Sequence, residues 1–198
     1  MTNFTYEYYK KCLHPDEATS EFWLSDRIYE DKLAKYELAK KFKPNYVAEV
    51  GVRYGYSGYA FLSGCDCIYH GYELPQGNRR SGGVRGTDTI PWVKEHFAMV
   101  FGVDRSEFSY INSQEVLGYP LLNGGFYDMF HVDANHSYIG CFHDCVTALY
   151  ALKPGGVLVV DDQDNGTVAK STLGFIETFR GNISDSYIAG TDYIIIKK

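Results

Sequence analysis

The chain has 198 residues, and at roughly 100 to 200 residues per domain this length predicts a single domain over residues 1–198. Its 25 acidic and 19 basic side chains give a formal net charge of −6. That charge argues against a duplex nucleic acid as partner, because the phosphate backbone repels a net negative surface.

The apolar patterning and the cysteine count bear on location. No apolar run reaches the roughly 18 residues that a membrane-spanning helix needs, and the first residues lack the apolar core of a secretion signal. Five cysteines are an odd number, which favours reduced, buried thiols over a complete set of disulfides. We therefore expect a cytoplasmic protein with no membrane partner.

Short apolar strands alternate with longer helical patterns in the first half of the chain, which is typical of a parallel α/β sheet. The spacing of apolar residues predicts a helix over 26–42, and strands are predicted over 46–51 and 66–73 with a short helix between them. Residues 1–45 are predicted to be a helical extension that precedes a core formed by residues 46–198.

The second half continues the alternation. A helix is predicted to run from Thr89 to about Phe101, and FSYIN then predicts a third strand. Two further strands end at Asp133 and at Asp161-Asp162, with a helix between them, and the last thirteen residues predict an antiparallel hairpin turned at Gly190. The predicted fold is α/β, a Rossmann-like, doubly wound and mostly parallel sheet with a C-terminal antiparallel hairpin.

The turn after the first strand is a candidate ligand-binding loop, since ligands of open parallel sheets lie beyond the carboxyl ends of the strands. Gly51 and Gly55 let the backbone approach a ligand closely. Their spacing differs from the G-x-G-x-x-G fingerprint, which disfavours a nicotinamide cofactor. Glu73, at the end of the second strand, is placed to accept hydrogen bonds from ribose hydroxyls, or it is a solvated carboxylate at the strand end.

Three carboxylates, Asp133, Asp161 and Asp162, follow the next two strands and predict a metal site. Oxygen ligands of this kind suit Mg²⁺, Mn²⁺ or Ca²⁺. Because consecutive strand residues point to opposite faces, Asp161 and Asp162 can reach one ion only where the pleat breaks into the loop. The alternative is that these acids cap helices or solvate strand ends.

His136 is the candidate general base, because a neutral imidazole beside a metal-bound hydroxyl would accept its proton. A plain surface histidine is the alternative. Two cysteine pairs, Cys141 with Cys145 and Cys65 with Cys67, lack the spacing of a structural zinc site and are interpreted as buried apolar thiols. The Gly- and Arg-rich segment 74–88 is either a lid over an anionic ligand or a solvated loop.

Together, AEVGVRYGYS, the strand-end Glu73, FHVDANHSY and LKPGGVLVVDD resemble class I S-adenosylmethionine-dependent methyltransferases, and among them the small metal-dependent O-methyltransferases. The resemblance implies that Glu49, Gly51, Tyr54 and Ser57 surround the methionine part of the cofactor, that Glu73 holds its ribose and that Ser113 lies by the adenine. It also implies that Asp133, Asp161 and Asp162 bind the metal. His136 matches the base of the macrolide-sugar branch, whereas the catechol and caffeoyl branch has a lysine base and an Asp-Asn pair.

The expected activity is S-adenosylmethionine-dependent O-methylation of a small-molecule hydroxyl, such as that of a sugar or a phenol, assisted by a divalent metal, Mg²⁺ above all. Residues 1–45 and 74–88 match no pattern of the family and are expected to shape the acceptor pocket. Two alternatives share the architecture: a nicotinamide-dependent oxidoreductase and a cofactor-binding module without catalysis. A nucleic-acid methyltransferase is disfavoured by the charge, and a homo-oligomer is possible.

Overall fold

The computed structural model describes residues 3–74, 88–114 and 124–198. Its strands are β1 (Tyr46–Val50), β2 (Ile68–Glu73), β3 (Ser106–Tyr110), β4 (Tyr127–Val132), β5 (Leu152–Val160), β6 (Ile183–Ala189) and β7 (Asp192–Lys197). Its α-helices are α1 (Tyr6–Cys12), α2 (Asp26–Phe42), α3 (Tyr56–Gly64), α4 (Ile90–Phe101), α5 (Tyr138–Ala151) and α6 (Gly166–Thr178). Two 3₁₀ turns precede β3 and β6, at Val103–Arg105 and Arg180–Asn182.

The seven strands form one sheet in the order β3-β2-β1-β4-β5-β7-β6. The first five strands of that order pair in parallel, and β7 and β6 pair antiparallel at one edge. Gly190 lies in the turn of the final hairpin with φ +64°. The predicted fold, a mostly parallel sheet closed by an antiparallel hairpin, is confirmed.

The sheet is covered by helices on both faces, as the predicted doubly wound arrangement requires. Alternate residues of β1 enter different cores: Val47 packs with side chains of α1 to α4, whereas Ala48 and Val50 pack with side chains of α5 and α6. Glu49 follows Val47 on the first of these faces, where it is 1% exposed. This face is therefore where the helices of the N-terminal extension meet the strand ends.

Two local features differ from the sequence prediction. The extension contains a second helix, α1, which begins after the Thr5 N-cap and was not predicted because it is only seven residues long. The strand that ends before Asp161-Asp162 starts ahead of its apolar run, because β5 already begins at Leu152 and includes Gly155 and Gly156. The pairing of β5 with β4 is irregular at this point. Tyr127 pairs with Leu152, whereas Met129, two residues further on, pairs with Val157.

Helix α2 occupies the predicted range because its ends carry the expected stop signals. Asp26 lies in its first turn and Lys40 and Lys41 in its last, where they complement the helix dipole. Lys43 then adopts a left-handed conformation, φ 47°, and Pro44 prevents continuation.

The buried face of α2 carries two lysines into the core. The Nζ atom of Lys35, which is 0% exposed, lies 2.8 Å from an oxygen of Asp31, 2.9 Å from one of Asp192 and 3.3 Å from one of Asp161. Lys32 lies 2.7 Å from the other oxygen of Asp31. We call Asp31, Lys32, Lys35, Asp161 and Asp192 the buried ion network. It connects the extension to the ends of β5 and β7.

Electrostatics keep the two lysines of this network charged despite their burial. Although burial by itself favours the neutral amine, the carboxylates of Asp161, Asp192 and Asp31 hold the pKa of Lys35 well above its usual value. Asp192 is the member that the surroundings push towards the neutral form, since burial raises its pKa to about 8.

All five cysteines are buried and free, at Cys12, Cys65, Cys67, Cys141 and Cys145, which agrees with the expected reduced thiols. Among the described residues, no helix combines the length and the apolarity needed to cross a bilayer.

Replacing Lys35 with Met should lower the free energy of unfolding by about 3–5 kcal/mol, because it leaves buried carboxylates without their cation. Urea unfolding followed by circular dichroism measures this loss. The control is Lys40→Met, on the exposed side of the same helix, which breaks the exposed Glu37 ion pair and the cation–π contact with Tyr36 and should leave the midpoint nearly unchanged. Equal midpoints for the two variants would contradict the role of the network.

Candidate active site

The strand order reverses between β1 and β4, and the loops that follow these strands meet there. Gly51 has φ +91°. A Cβ added to it would overlap the carbonyl oxygen of Asp133 and lie 2.6 Å from the carbonyl carbon. The sequence predicts a ligand beside this glycine; among the described residues, the group that an added Cβ would meet first is the backbone of the loop after β4.

Glu73 extends from the end of β2 towards the β1–α3 loop. Its Oε2 atom accepts a hydrogen bond from the backbone N–H of Arg53 at 2.7 Å, and its Oε1 atom accepts one from the N–H of Leu74 at 2.8 Å. Arg53 is a non-glycine residue with positive φ, 49°, so this bond helps to fix the conformation of the loop. Arg79, Arg80 and Arg85 lie outside the described residues.

Three of the predicted cofactor residues are packed against protein groups. Glu49 accepts a hydrogen bond from the Tyr69 hydroxyl and lies 2.9 Å from His131 Nδ1. Tyr54, 2% exposed, stacks on the His14 ring at 4.4 Å. The remaining residue, Ser57 at the start of α3, accepts a hydrogen bond from Lys32 Nζ at 3.2 Å. The N-terminal extension therefore contacts this part of the loop directly.

Ser113 follows β3 and is buried. Its Oγ atom accepts a hydrogen bond from Gln114 Nε2 at 3.0 Å, and the same amide donates to Asp144 Oδ1 on α5, also at 3.0 Å. Because β3, β2 and β1 are neighbours in the sheet, Ser113, Glu73 and Gly51 follow one another along one rim, over a span of about 10 Å at the usual strand spacing.

A second group of side chains lies at the ends of β4 and β5. The Nε2 atom of His136 is 3.4 Å from Asp133 Oδ1 and 3.2 Å from Asp162 Oδ2. One donor atom from each of these three residues lies within 4.8 Å of the other two. We call Asp133, His136 and Asp162 the rim triad. Its members are partly exposed, with 29%, 45% and 39% of their side-chain surface accessible.

Mutual interactions shift the pKa values in the rim triad. The hydrogen bond with Asp133, reinforced by the charges of Asp133, Asp162 and Asp161, raises the pKa of His136 to about 9. Burial, together with the charge of Asp161, raises the pKa of Asp133 to about 6 and also raises that of Asp162. The two carboxylates thus favour the protonated form of His136.

Asp161 is placed differently from its neighbour. It is 6% exposed, and its Oδ2 atom faces the buried ion network, 3.3 Å from Lys35 Nζ and 3.6 Å from His131 Nε2. The predicted break in the pleat occurs at Asp162, whose φ is 58°. The three acids predicted as metal ligands therefore lie close together, but the carboxylates of Asp133 and Asp162 converge on His136, whereas that of Asp161 faces the buried ion network.

The residues that surround Asp161 were not predicted from the sequence; they are Asp31, Lys32, Lys35, His131 and Asp192. One sign of them was present in the sequence. His131 interrupts the apolar run of β4 and is 0% exposed, and a buried imidazole requires polar partners. Carboxylates of Asp161 and Glu49, acting against burial, raise its pKa to about 10. Lys32 and Lys35 reach Asp161 because α2 crosses this face of the sheet, and no local sequence pattern reveals that crossing.

Comparison with known proteins gives one family. A family model described as a methyltransferase domain matches residues 48–163, a range that includes Gly51, Glu73 and the rim triad. No curated protein sequence matches the chain.

Similar folds occur among solved structures. The O-methyltransferase TomG from Streptomyces achromogenes, involved in tomaymycin synthesis and solved with SAM, has a TM-score of 0.68 at 15% identity, over 100% of this chain and 90% of its own. The SAH-bound methyltransferase PaMTH1 from Podospora anserina has a TM-score of 0.68 at 17% identity, over 100% of this chain and 88% of its own. An O-methyltransferase from Bacillus cereus, in complex with SAH, has a TM-score of 0.64 at 14% identity, over 100% of this chain and 92% of its own. These likenesses show a shared fold.

Substituting Gly51 with Ala should destabilise the fold markedly, because the added methyl group must displace the loop after β4. The control is Gly102→Ala, at φ +100° and ψ 152° with no heavy atom within 4 Å of the new Cβ, where only backbone strain of about 1–3 kcal/mol is expected. Urea unfolding of both variants separates strain from overlap. Equal losses would show that the two loops do not meet as described.

Proposed function

The chain belongs to the methyltransferase-domain family matched above, and from this premise we propose that it transfers the methyl group of S-adenosylmethionine to a hydroxyl oxygen of a small molecule, such as a sugar or a phenol, with a divalent cation, Mg²⁺ above all, assisting. One observation carries the proposal: the rim that bears Ser113, Glu73 and Gly51 continues directly, across the switch point, into the rim triad.

The row of strand ends that bears Ser113, Glu73 and Gly51 supports a defined orientation for the cofactor. Ser113, after β3, would lie by the adenine, and Glu73, in the middle, would accept hydrogen bonds from the ribose hydroxyls. The β1–α3 loop, with Glu49, Gly51, Tyr54 and Ser57, would surround the methionine part. The N-terminus of α3, where Ser57 lies beside Lys32 Nζ, favours a carboxylate. This orientation brings the methyl end of the cofactor towards β4.

The proposed cation lies at the ends of β4 and β5, where Asp133, Asp161 and Asp162 are the predicted ligands. The donor set supports this placement, since the carboxylates of Asp133 and Asp162 lie 3.4 Å and 3.2 Å from the same atom, His136 Nε2, and are close enough to share one cation. When bound, the cation would orient acceptor oxygens and lower the pKa of the reacting hydroxyl.

The remaining chemistry is positioning and proton transfer. Holding cofactor and acceptor in line contributes about 7–11 kcal/mol to lowering the barrier, and a positioned base adds about 10²- to 10⁴-fold in rate. His136 is the proposed base. The neighbouring carboxylates raise its pKa to about 9, so a cation that compensates their charge would favour the neutral imidazole that accepts a proton.

Transfer to oxygen is proposed because two of the structural neighbours described above are O-methyltransferases and because the facing carboxylates suit a cation that holds hydroxyl oxygens. A single methyltransferase domain, a cytoplasmic location, the absence of nucleic-acid and membrane partners, and a homo-oligomer stay predictions from the sequence.

Asp133→Ala and Asp162→Ala should each lower turnover by about 10²-fold or more, the scale of losing a positioned catalytic group, while S-adenosylhomocysteine binding stays nearly unchanged. Isothermal titration measures the binding, and release of S-adenosylhomocysteine from S-adenosylmethionine with sugar and phenol acceptors measures the turnover. Asp104→Ala, in the 3₁₀ turn before β3, is the control and should behave as the unmodified protein. Full turnover in excess EDTA would refute the assistance by a cation.

A further inference from the structure

We infer that Asp161 is a positioning residue and not a metal ligand: it fixes the backbone of Asp162, so that Asp133 and Asp162 alone supply the carboxylates of the cation site. This inference rests on the proposed function and narrows the ligand set expected from the sequence.

The first observation is where the Asp161 carboxylate points. Its Oδ2 atom lies 3.3 Å from Lys35 Nζ, 3.6 Å from His131 Nε2 and 3.8 Å from Lys32 Nζ, so three cationic or imidazole nitrogens already surround it. Asp161 is 6% exposed, whereas the side chains of Asp133 and Asp162 are partly open to solvent. Binding an external cation through Oδ2 would require Asp161 to leave these partners.

The second observation concerns Oδ1, the other oxygen of the Asp161 carboxylate. Asp161 Oδ1 accepts a hydrogen bond from the backbone N–H of Asp162 at 2.8 Å. Asp162 has φ 58°, a left-handed conformation that costs energy for most residues with a Cβ and less for Asp, and the hydrogen bond from its N–H to Asp161 helps to hold it. The carbonyl of Asp162 accepts a second hydrogen bond from the N–H of Asn165 at 2.9 Å. Both backbone groups that flank the Asp162 side chain are therefore held.

This conformation is what aims Asp162 at the rim triad. In a regular strand, residues 161 and 162 would point to opposite faces; the left-handed turn instead places Asp162 Oδ2 3.2 Å from His136 Nε2, next to Asp133. Two carboxylates with open positions for solvent or acceptor oxygens suit Mg²⁺, which is usually bound through one or two protein carboxylates. Lys35 thus acts on the cation site through Asp161 and then through Asp162.

A positioning role and a metal-ligand role for Asp161 predict different effects of replacing it with Asn. Asn keeps an oxygen that accepts the Asp162 N–H bond but removes the charge, whereas Ala removes both. A positioning residue is rescued by Asn and not by Ala, while a charged ligand is lost in both variants. Removing a group that orients a metal ligand typically weakens metal binding by about 10- to 100-fold.

Mn²⁺ binding, measured from the electron paramagnetic resonance signal of free Mn²⁺, is the readout, with the full chain saturated with S-adenosylhomocysteine. Asp161→Asn should bind Mn²⁺ within about three-fold of the unmodified protein, and Asp161→Ala about 10- to 100-fold more weakly. Asp162→Asn is the matched control for charge removal and should lose at least as much as Asp161→Ala. S-adenosylhomocysteine titrations check that each variant is folded.

Comparable losses in Asp161→Asn and Asp162→Asn would make Asp161 a ligand and overturn the inference while leaving the proposed function intact. Unchanged binding in both Asp161 variants would overturn it as well, because no positioning would then be needed. An unmodified protein that binds S-adenosylhomocysteine but no Mn²⁺ would refute the proposed cation together with the inference. If Asp161→Ala does not fold, the comparison of Asp161→Asn with Asp162→Asn still decides whether Asp161 is a ligand.

Discussion

The contact between Lys35 and three buried carboxylates is the constraint on which the strand ends at the candidate site depend. A lysine ammonium without water is stable only where carboxylates replace its hydration, and here these come from α2 itself, from the end of β5 and from the start of β7. The N-terminal extension is therefore joined to the strand ends by charge as well as by apolar packing.

The ends of β4 and β5 show how one backbone irregularity separates two neighbouring acids. Asp161 continues the face of the sheet that α2 covers, and the left-handed conformation of Asp162 turns its side chain to the rim. One carboxylate therefore balances buried cations while the next stays accessible to solvent. The two neighbouring acids therefore lie in different electrostatic environments. The pKa of Asp161 is held well below its usual value, whereas the pKa of Asp162 is raised.

Most of the fold was predictable because its determinants are local. The bounds of α2 follow from apolar spacing, charged ends and a proline. The parallel orientation of β1, β2, β4 and β5 follows from the alternation of strands and helices. The extra helix α1 and the start of β5 at Leu152 escaped prediction because tertiary packing, not propensity, stabilises a seven-residue helix and a strand that absorbs two glycines.

For the candidate site, the sequence by itself determined which residues stand at the strand ends: Gly51, Glu73, Asp133 and the Asp161-Asp162 pair, because strand ends follow from hydrophobic periodicity and turn residues. Only the tertiary structure decided which way their side chains face and what neutralises them. Lys35 reaches Asp161 and Asp192 from more than a hundred residues away in the chain. Such pairings depend on how a helix crosses a sheet, and no local pattern encodes that crossing.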